Sequence, residues 1–165
     1  MSLVAKVDTV MAKYRGASVS ASKLHSELLD VILQWIVSEA TLSCAFTGTN
    51  GTSTITRNDS LKFVSYTKSV KIPSGSNARM QWEEHLTANI RTCCLTGNIS
   101  GYTVSMFKPI IGKVSLGISE SDDYNSAWNK IETAIKAVIK TALGQTTQAV
   151  YGAYTGTLTI TNVSI

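Results

Sequence analysis

Histidine and cysteine are the residue types in this sequence best suited to catalysis or metal binding, and their spacing favours neither. His85, Cys93 and Cys94 fall on one predicted helix, eight or nine residues apart. That spacing separates the groups by about 12–13 Å along the axis, whereas a cysteine nucleophile needs its histidine within hydrogen-bond reach. An HExxH zinc helix would need a second histidine where Asn89 stands, and no CxxC pair occurs. We therefore predict no catalytic, cofactor-binding or metal-binding residues, and buried, reduced cysteines including Cys44.

The acidic residues provide no acid–base pair either. They stand side by side only at Glu83-Glu84 and Asp122-Asp123, and neighbouring residues on a helix point about 100° apart. The sequence also lacks the G-x-S-x-G, Walker A and G-x-G-x-x-G motifs. Asp122-Asp123 instead suits a helix N-terminus, where a carboxylate meets the positive end of the dipole.

Basic residues outnumber acidic ones, 15 to 11, which gives a net charge of +4. Surfaces that bind phosphate usually combine dense arginine with aromatic rings, whereas lysines on exposed strands commonly block edge-to-edge pairing. Nucleic-acid binding is therefore an alternative and not the main hypothesis. The excess charge lies within residues 61–118, whose candidate basic surface consists of Lys62, Lys68, Lys71, Lys108 and Lys113.

Apolar residues that recur every three or four positions predict four helices. These cover residues 2–14, 20–43 and 76–95, and a last helix that Ser121-Asp-Asp opens and Gly144 ends. Strands are predicted where alternating or β-prone residues replace that rhythm. They are a hairpin around Asn50-Gly51 within residues 44–56, and segments 61–72, 102–107, 113–118 and 150–165.

The length and composition are those of one folded domain, because 165 residues with 44% hydrophobic content can build a core. We predict a single α+β domain over residues 1–165, with about four helices packed on a largely antiparallel sheet in the order α-α-β-β-β-α-β-β-α-β. No apolar stretch approaches the roughly 18 residues of a bilayer span, and the first residues lack the apolar run of a signal peptide. We therefore expect a cytoplasmic protein without a membrane partner.

Charge is missing from three particular segments. Only 16% of residues are charged, 20 serines and 20 threonines supply polarity instead, and residues 41–56, 92–107 and 141–165 carry no charge at all. A strand of this composition at the C-terminus is either a central strand of its own sheet or an edge that pairs with another chain. In the second case the candidate subunit contacts are Leu158, Ile160, Val163 and Ile165.

This zoned pattern favours a non-enzymatic assembly subunit, one that forms a homo-oligomer or a joint between other structural subunits. In composition, though not in any motif, the chain resembles the neck, tail-completion and tail proteins of tailed bacteriophages, a resemblance that implies a place in a virion. One alternative is a small binding module with a pocket between helices and sheet, lined by Trp35, Trp82 and Trp128. Another is an enzyme, for which His85 and Cys93 are the residues to test.

Overall fold

The computed structural model describes residues 1–165 as four helices and a six-stranded sheet, which confirms the predicted α+β class, the order of the helices and the antiparallel pairing. The helices are α1 (Leu3–Lys13), α2 (Ala21–Glu39), α3 (Ala78–Ile90) and α4 (Tyr124–Ile139), with a short 3-10 turn at Lys140–Ala142. The strands are β1 (Thr41–Thr49), β2 (Thr54–Leu61), β3 (Leu95–Ile99), β4 (Tyr102–Phe107), β5 (Thr146–Tyr151) and β6 (Tyr154–Ser164).

Side-chain caps begin three of the helices. Ser2 and Ser20 accept from backbone N–H groups of α1 and α2, each at 3.2 Å. Asp123 does the same for α4, with its Oδ1 2.7 Å from the N–H of Ser126, as the acidic pair predicts. The predicted ends of the second and third helices are too late, because residues from Thr41 and Leu95 onward pair in the sheet.

The sheet has the order β2-β1-β6-β5-β4-β3, and every neighbouring pair is antiparallel. The hairpin at Asn50-Gly51 is confirmed, although its loop contains four residues, from 50 to 53. Asn50 Oδ1 accepts from the N–H groups of Thr52 and Ser53 at 3.0 and 2.8 Å, and Gly51 alone takes a positive φ, of 97°. The loop is therefore held by an asparagine side chain.

The sheet curls strongly toward the helices. Three strands lie between β2 and β4, which in a flat sheet would separate them by about 19 Å at the usual 4.7–4.9 Å per strand. Yet the hydroxyl of Tyr102 on β4 donates to Asp59 on β2. At one end the curl is closed by backbone pairing, since Val64 N–H lies 2.9 Å from Cys94 O and Cys94 N–H lies 3.0 Å from Ser65 O.

The strands predicted at residues 61–72 and 113–118 are wrong. Leu61 ends β2, and neither segment continues as a strand of the sheet, although Val114 and Leu116 are buried and Ser115 and Gly117 are exposed as the alternation predicts. An extended chain has this alternation whether its hydrogen-bond partner is a strand or something else. Here the partner is α3.

Side chains of α3 accept hydrogen bonds from the backbone of segment 113–118 at regular intervals. Glu83 Oε2 accepts from Leu116 N–H at 3.1 Å, and Thr87 Oγ1 accepts from Val114 N–H at 2.9 Å. One helical turn of four residues rises about 6 Å, close to the 6.6–6.8 Å of two extended residues. On the other flank of α3, the Asn89 amide donates to Ser69 O and accepts from its N–H, at 2.9 and 2.7 Å.

The predicted last strand is a hairpin of two strands, β5 and β6, and β6 is a central strand paired with β1 on one side and β5 on the other. The candidate subunit contacts at Leu158, Ile160 and Val163 are therefore wrong, because these side chains are 1%, 1% and 6% exposed within the core of the chain itself. Ile165 is half-buried and packs against that core.

One continuous core joins the inner face of the sheet to the buried stripes of α1, α2 and α4. Its largest fully buried side chains include Trp35, Tyr102 and Phe46. Among the helices, none combines the length and the hydropathy that crossing a membrane requires.

Candidate functional site

The inner face of the curled sheet carries its only ion pair, at Arg57 and Asp59 on β2. Their side chains point the same way because they are two residues apart, and Arg57 Nε lies 3.2 Å from Asp59 Oδ2. Asp59 also accepts from the hydroxyl of Tyr102, while the Arg57 guanidinium lies over the Tyr151 ring at 4.3 Å from its centroid. Phe46 completes the cluster, with its ring centroid 5.3 Å from that of Tyr102.

The protonation states in this cluster are fixed by its contacts. The Tyr102 hydroxyl, assisted by Arg57, holds the pKa of Asp59 below its usual value, even though partial burial opposes this. Burial and then the hydrogen bond to Asp59 raise the pKa of Tyr102 to about 12. At neutral pH the cluster therefore contains one cation, one anion and a neutral phenol, all directed at one another. Such a set holds β2 against β4.

Glycines make room for the curl where β1 and β6 approach. Gly48 pairs with Gly156 in the register, and a methyl group at Gly156 would collide with the backbone of Thr47 and Gly48. The Phe46 ring covers Gly48, whose added Cβ would lie 2.5 Å from the ring. Aromatic rings that cover strand glycines in this way are a known means of stabilising a bent sheet.

The cysteines are free and buried. Burial raises the pKa of Cys93 to about 12 and that of Cys44 to about 11, so both remain thiols at neutral pH, and the thiol is a poor nucleophile. Cys94 contacts the Ser65 hydroxyl, with Sγ 3.0 Å from Oγ.

The histidines belong to helices α2 and α3, where His25 packs edge-on against Trp82 with ring centroids 5.7 Å apart. The Nδ1 atoms of His25 and His85 are buried without a hydrogen-bond partner. No group of three or more histidine, cysteine, aspartate or glutamate side chains is placed to hold a metal ion.

Two of the five candidate basic-surface lysines are used within the chain. Lys62 Nζ donates to the carbonyl of Ser38 at 2.9 Å at the C-terminus of α2, where a cation complements the helix dipole. Lys68 Nζ lies 2.6 Å from Asp30 Oδ2 and 2.7 Å from Ser26 Oγ. The remaining three are exposed and form no ion pair: Lys71, Lys108 and Lys113.

The three tryptophans of the alternative binding-module hypothesis do not share a cavity. Trp35 is 2% exposed, and its Nε1 donates to Met1 O at 3.2 Å. Trp82 borders an open groove of about 560 Å³ next to Leu116 and Ile118, whereas Trp128 is half-buried against the core.

The outer face of the sheet carries no charged strand residue. All charged strand residues are on β2, and both of these point inward. The outward side chains are exposed or half-buried and mostly carry hydroxyl groups. One row crosses all six strands through directly paired residues: Thr54, Thr49, Thr155, Val150, Thr103 and Asn98. A second row runs through Thr56, Thr47, Thr157 and Gln148.

Sequence reasoning identified the charge-free segments but not the two faces that they make. The signal for the faces was the alternation in β1, where the apolar residues Leu42, Cys44 and Phe46 alternate with small or hydroxyl residues. The inner cluster was missed because its members are brought together only by the curl.

Comparison with known proteins adds no family, since no protein-family model, no curated protein and no solved structure matches the chain.

Proposed function

We propose that this chain is a non-enzymatic assembly subunit that associates with further copies of itself through the outer face of its sheet. The observation that carries the proposal is the uncharged row from Thr54 to Asn98, which crosses the whole sheet. Surfaces that stay in water usually carry charge on about a quarter to a third of their residues. A face without any is suited to burial against another protein surface.

Self-association is supported by the chemistry of the face. The chain carries a net charge of +4, so contact between copies through its basic regions would place like charges opposite each other. A hydroxyl group both donates and accepts a hydrogen bond, so a threonine or serine row can pair with the same row of a second copy. Interfaces related by twofold symmetry require this kind of self-complementary patch.

The size of the face is adequate for a specific interface. Strands of 5 to 11 residues and six strands side by side cover roughly 700 Å² at about 3.4 Å per residue and 4.8 Å per strand. Stable interfaces bury about 800 Å² on each partner. Because the face is convex, one flat contact reaches only its middle strands, and two neighbours use it more fully. A second neighbour on the same face would extend the twofold dimer into a larger particle, such as the virion that the composition suggests.

The test is the mass in solution. Wild-type protein is expected to exceed the chain mass of 17.7 kDa in light scattering. The double variant Thr47→Lys/Thr155→Lys places cations on the exposed outer face of β1 and β6, and like-charge repulsion should keep it monomeric. Ala88→Lys, on the exposed side of α3, is the matched control and should assemble as the wild type does.

Two results would contradict the proposal. One is a wild-type protein that stays at the monomer mass up to its solubility limit. The other is a double-lysine variant that assembles as well as Ala88→Lys, provided that circular dichroism shows all three proteins to be folded.

A further inference from the structure

A groove of about 460 Å³ lies between the extended segment 113–117 and α4. Its wall on the helix side combines the short side chains of Thr133, Ala134 and Ala137 with those of Asn129 and Lys130. Its opposite wall is formed by Ser115 and Gly117, both exposed. The groove is therefore bordered by backbone on one side and by a helix that leaves space on the other.

The backbone N–H groups of the segment are hydrogen-bonded on one edge only. Val114 and Leu116 donate to side chains of α3 at 2.9 and 3.1 Å. In an extended chain the N–H groups of successive residues point to opposite edges, so those of Ser115 and Gly117 face α4. The carbonyl of Gly117 confirms this direction, because it accepts from Lys130 Nζ on α4 at 3.3 Å.

The N–H groups on this second edge have no partner within the chain, since neither Ser115 nor Gly117 donates a backbone hydrogen bond. Two donors spaced two residues apart, next to an open groove, match the repeat of a strand that pairs with an added chain. A small organic ligand has no need of this repeat. The arrangement fits an extended peptide.

We propose that the groove binds an extended peptide of another protein, which adds as a strand along residues 114–117 and lies between this segment and α4. Main-chain hydrogen bonds to the N–H groups of Ser115 and Gly117 supply affinity. The peptide displaces Lys130 from the Gly117 carbonyl, and the short side chains of Thr133, Ala134 and Ala137 select small residues on its inward side. The groove lies on α4 and the extended segment rather than on the outer sheet face, so the inference does not rest on self-assembly.

The probe is a displayed library of random ten-residue peptides, selected on the full chain, with enriched sequences synthesised and measured by fluorescence anisotropy. Ala137→Trp, at an exposed position of the groove wall, fills the space and should weaken binding by about tenfold or more. Ala88→Trp, on the exposed side of α3, adds the same side chain elsewhere and should leave affinity unchanged.

A second measurement keeps the test independent of any effect of Ala137→Trp on folding. N-methylation of the peptide, one amide at a time, removes single main-chain donors. Strand addition predicts losses of affinity at every second position, because only alternate amides face the segment. The proposal is overturned if no peptide is enriched, if enriched peptides bind Ala137→Trp as well as wild type, or if the methylation pattern lacks a two-residue period.

Discussion

The two faces of the sheet are made by the same strands and differ in almost every property. On β1, Phe46 is fully buried against Tyr102 while Thr47, the next residue, is exposed. The inner face contains the aromatic cluster and the only charged strand residues, and the outer face contains hydroxyl groups without charge. Antiparallel sheets with one solvated face normally carry their polar and charged residues outside, so here the distribution of charge is reversed.

The reversal has a physical explanation on each face. Arg57 and Asp59 are on β2, an edge strand, and inward-pointing charges on an edge strand oppose pairing with another chain because such pairing would bury them further. The outer face lacks charge over the whole sheet, which solubility alone does not require. The edge strand is therefore protected against association, whereas the outer face carries no comparable charge.

The largest loss of stability is expected when a large side chain is removed from the inner face. Phe46→Ala removes a fully buried ring that contacts Tyr102 and Tyr151 at centroid distances of 5.3 and 6.4 Å, and it should lower the free energy of unfolding by about 3–5 kcal/mol. Thr47→Ala, one residue away on the outer face, should change it by less than about 0.5 kcal/mol. Urea unfolding of dilute protein measures both, and similar losses for the two variants would contradict the division into faces.

Most of the fold could be predicted from the sequence because helices and strands follow local periodicity. The errors occurred where the partner of an extended segment decides its class. Residues 113–118 alternate like a strand, yet α3 side chains such as Thr87 and Glu83 bind them. No local pattern reveals whether a helix or a strand supplies the hydrogen bonds. The prediction for Leu158 and Ile160 failed for a related reason. A strand of alternating apolar residues has the same sequence pattern at the centre of a sheet as at an interface.

The inner cluster could not be predicted, because its members come from distant parts of the chain. Asp59 and Tyr102 are 43 residues apart, and only the curl brings their strands together. The curl in turn depends on Gly48 and Gly156, which in sequence are ordinary glycines in β-prone segments. Long-range geometry of this kind is set by the whole sheet and not by any local motif.

A smaller loss of stability is expected when an added methyl group prevents β1 and β6 from approaching closely. Gly156→Ala places a methyl group against the backbone of Thr47 and Gly48, which cannot move aside as a side chain can, and should cost about 3 kcal/mol. Gly117→Ala is the control, since nothing lies within 4 Å of its added Cβ and its φ is not positive, and it should change stability by less than about 0.5 kcal/mol. If Gly156→Ala is as stable as Gly117→Ala, close approach of β1 and β6 is not required for the fold.

The smallest effect is expected from the single hydrogen bond that joins β2 to β4. Tyr102→Phe keeps the ring and removes the hydroxyl that donates to Asp59. A hydrogen bond to a charged group contributes about 1.5–3 kcal/mol, and because the Asp59 side chain is 24% exposed, water replaces part of it. A loss of about 1 kcal/mol at pH 7 is expected. Tyr154→Phe is the control, because its hydroxyl only approaches Ser53 Oγ at 3.4 Å on an exposed loop.

The dependence of this loss on pH distinguishes the hydrogen bond from simple packing. Because the pKa of Asp59 is lowered in the folded chain, first by the Tyr102 hydroxyl, its contribution is present above the unfolded value of about 4 and disappears as the pH falls through the folded value. The difference between wild type and Tyr102→Phe should therefore shrink in acid below about pH 4. Other carboxyl groups with lowered pKa, including Asp122 and Asp123, destabilise both proteins equally on acidification and cancel in the difference. Denaturant unfolding at pH 7 and pH 3 measures it, and an equal loss at both values would show that the hydroxyl acts through packing and not through the carboxylate.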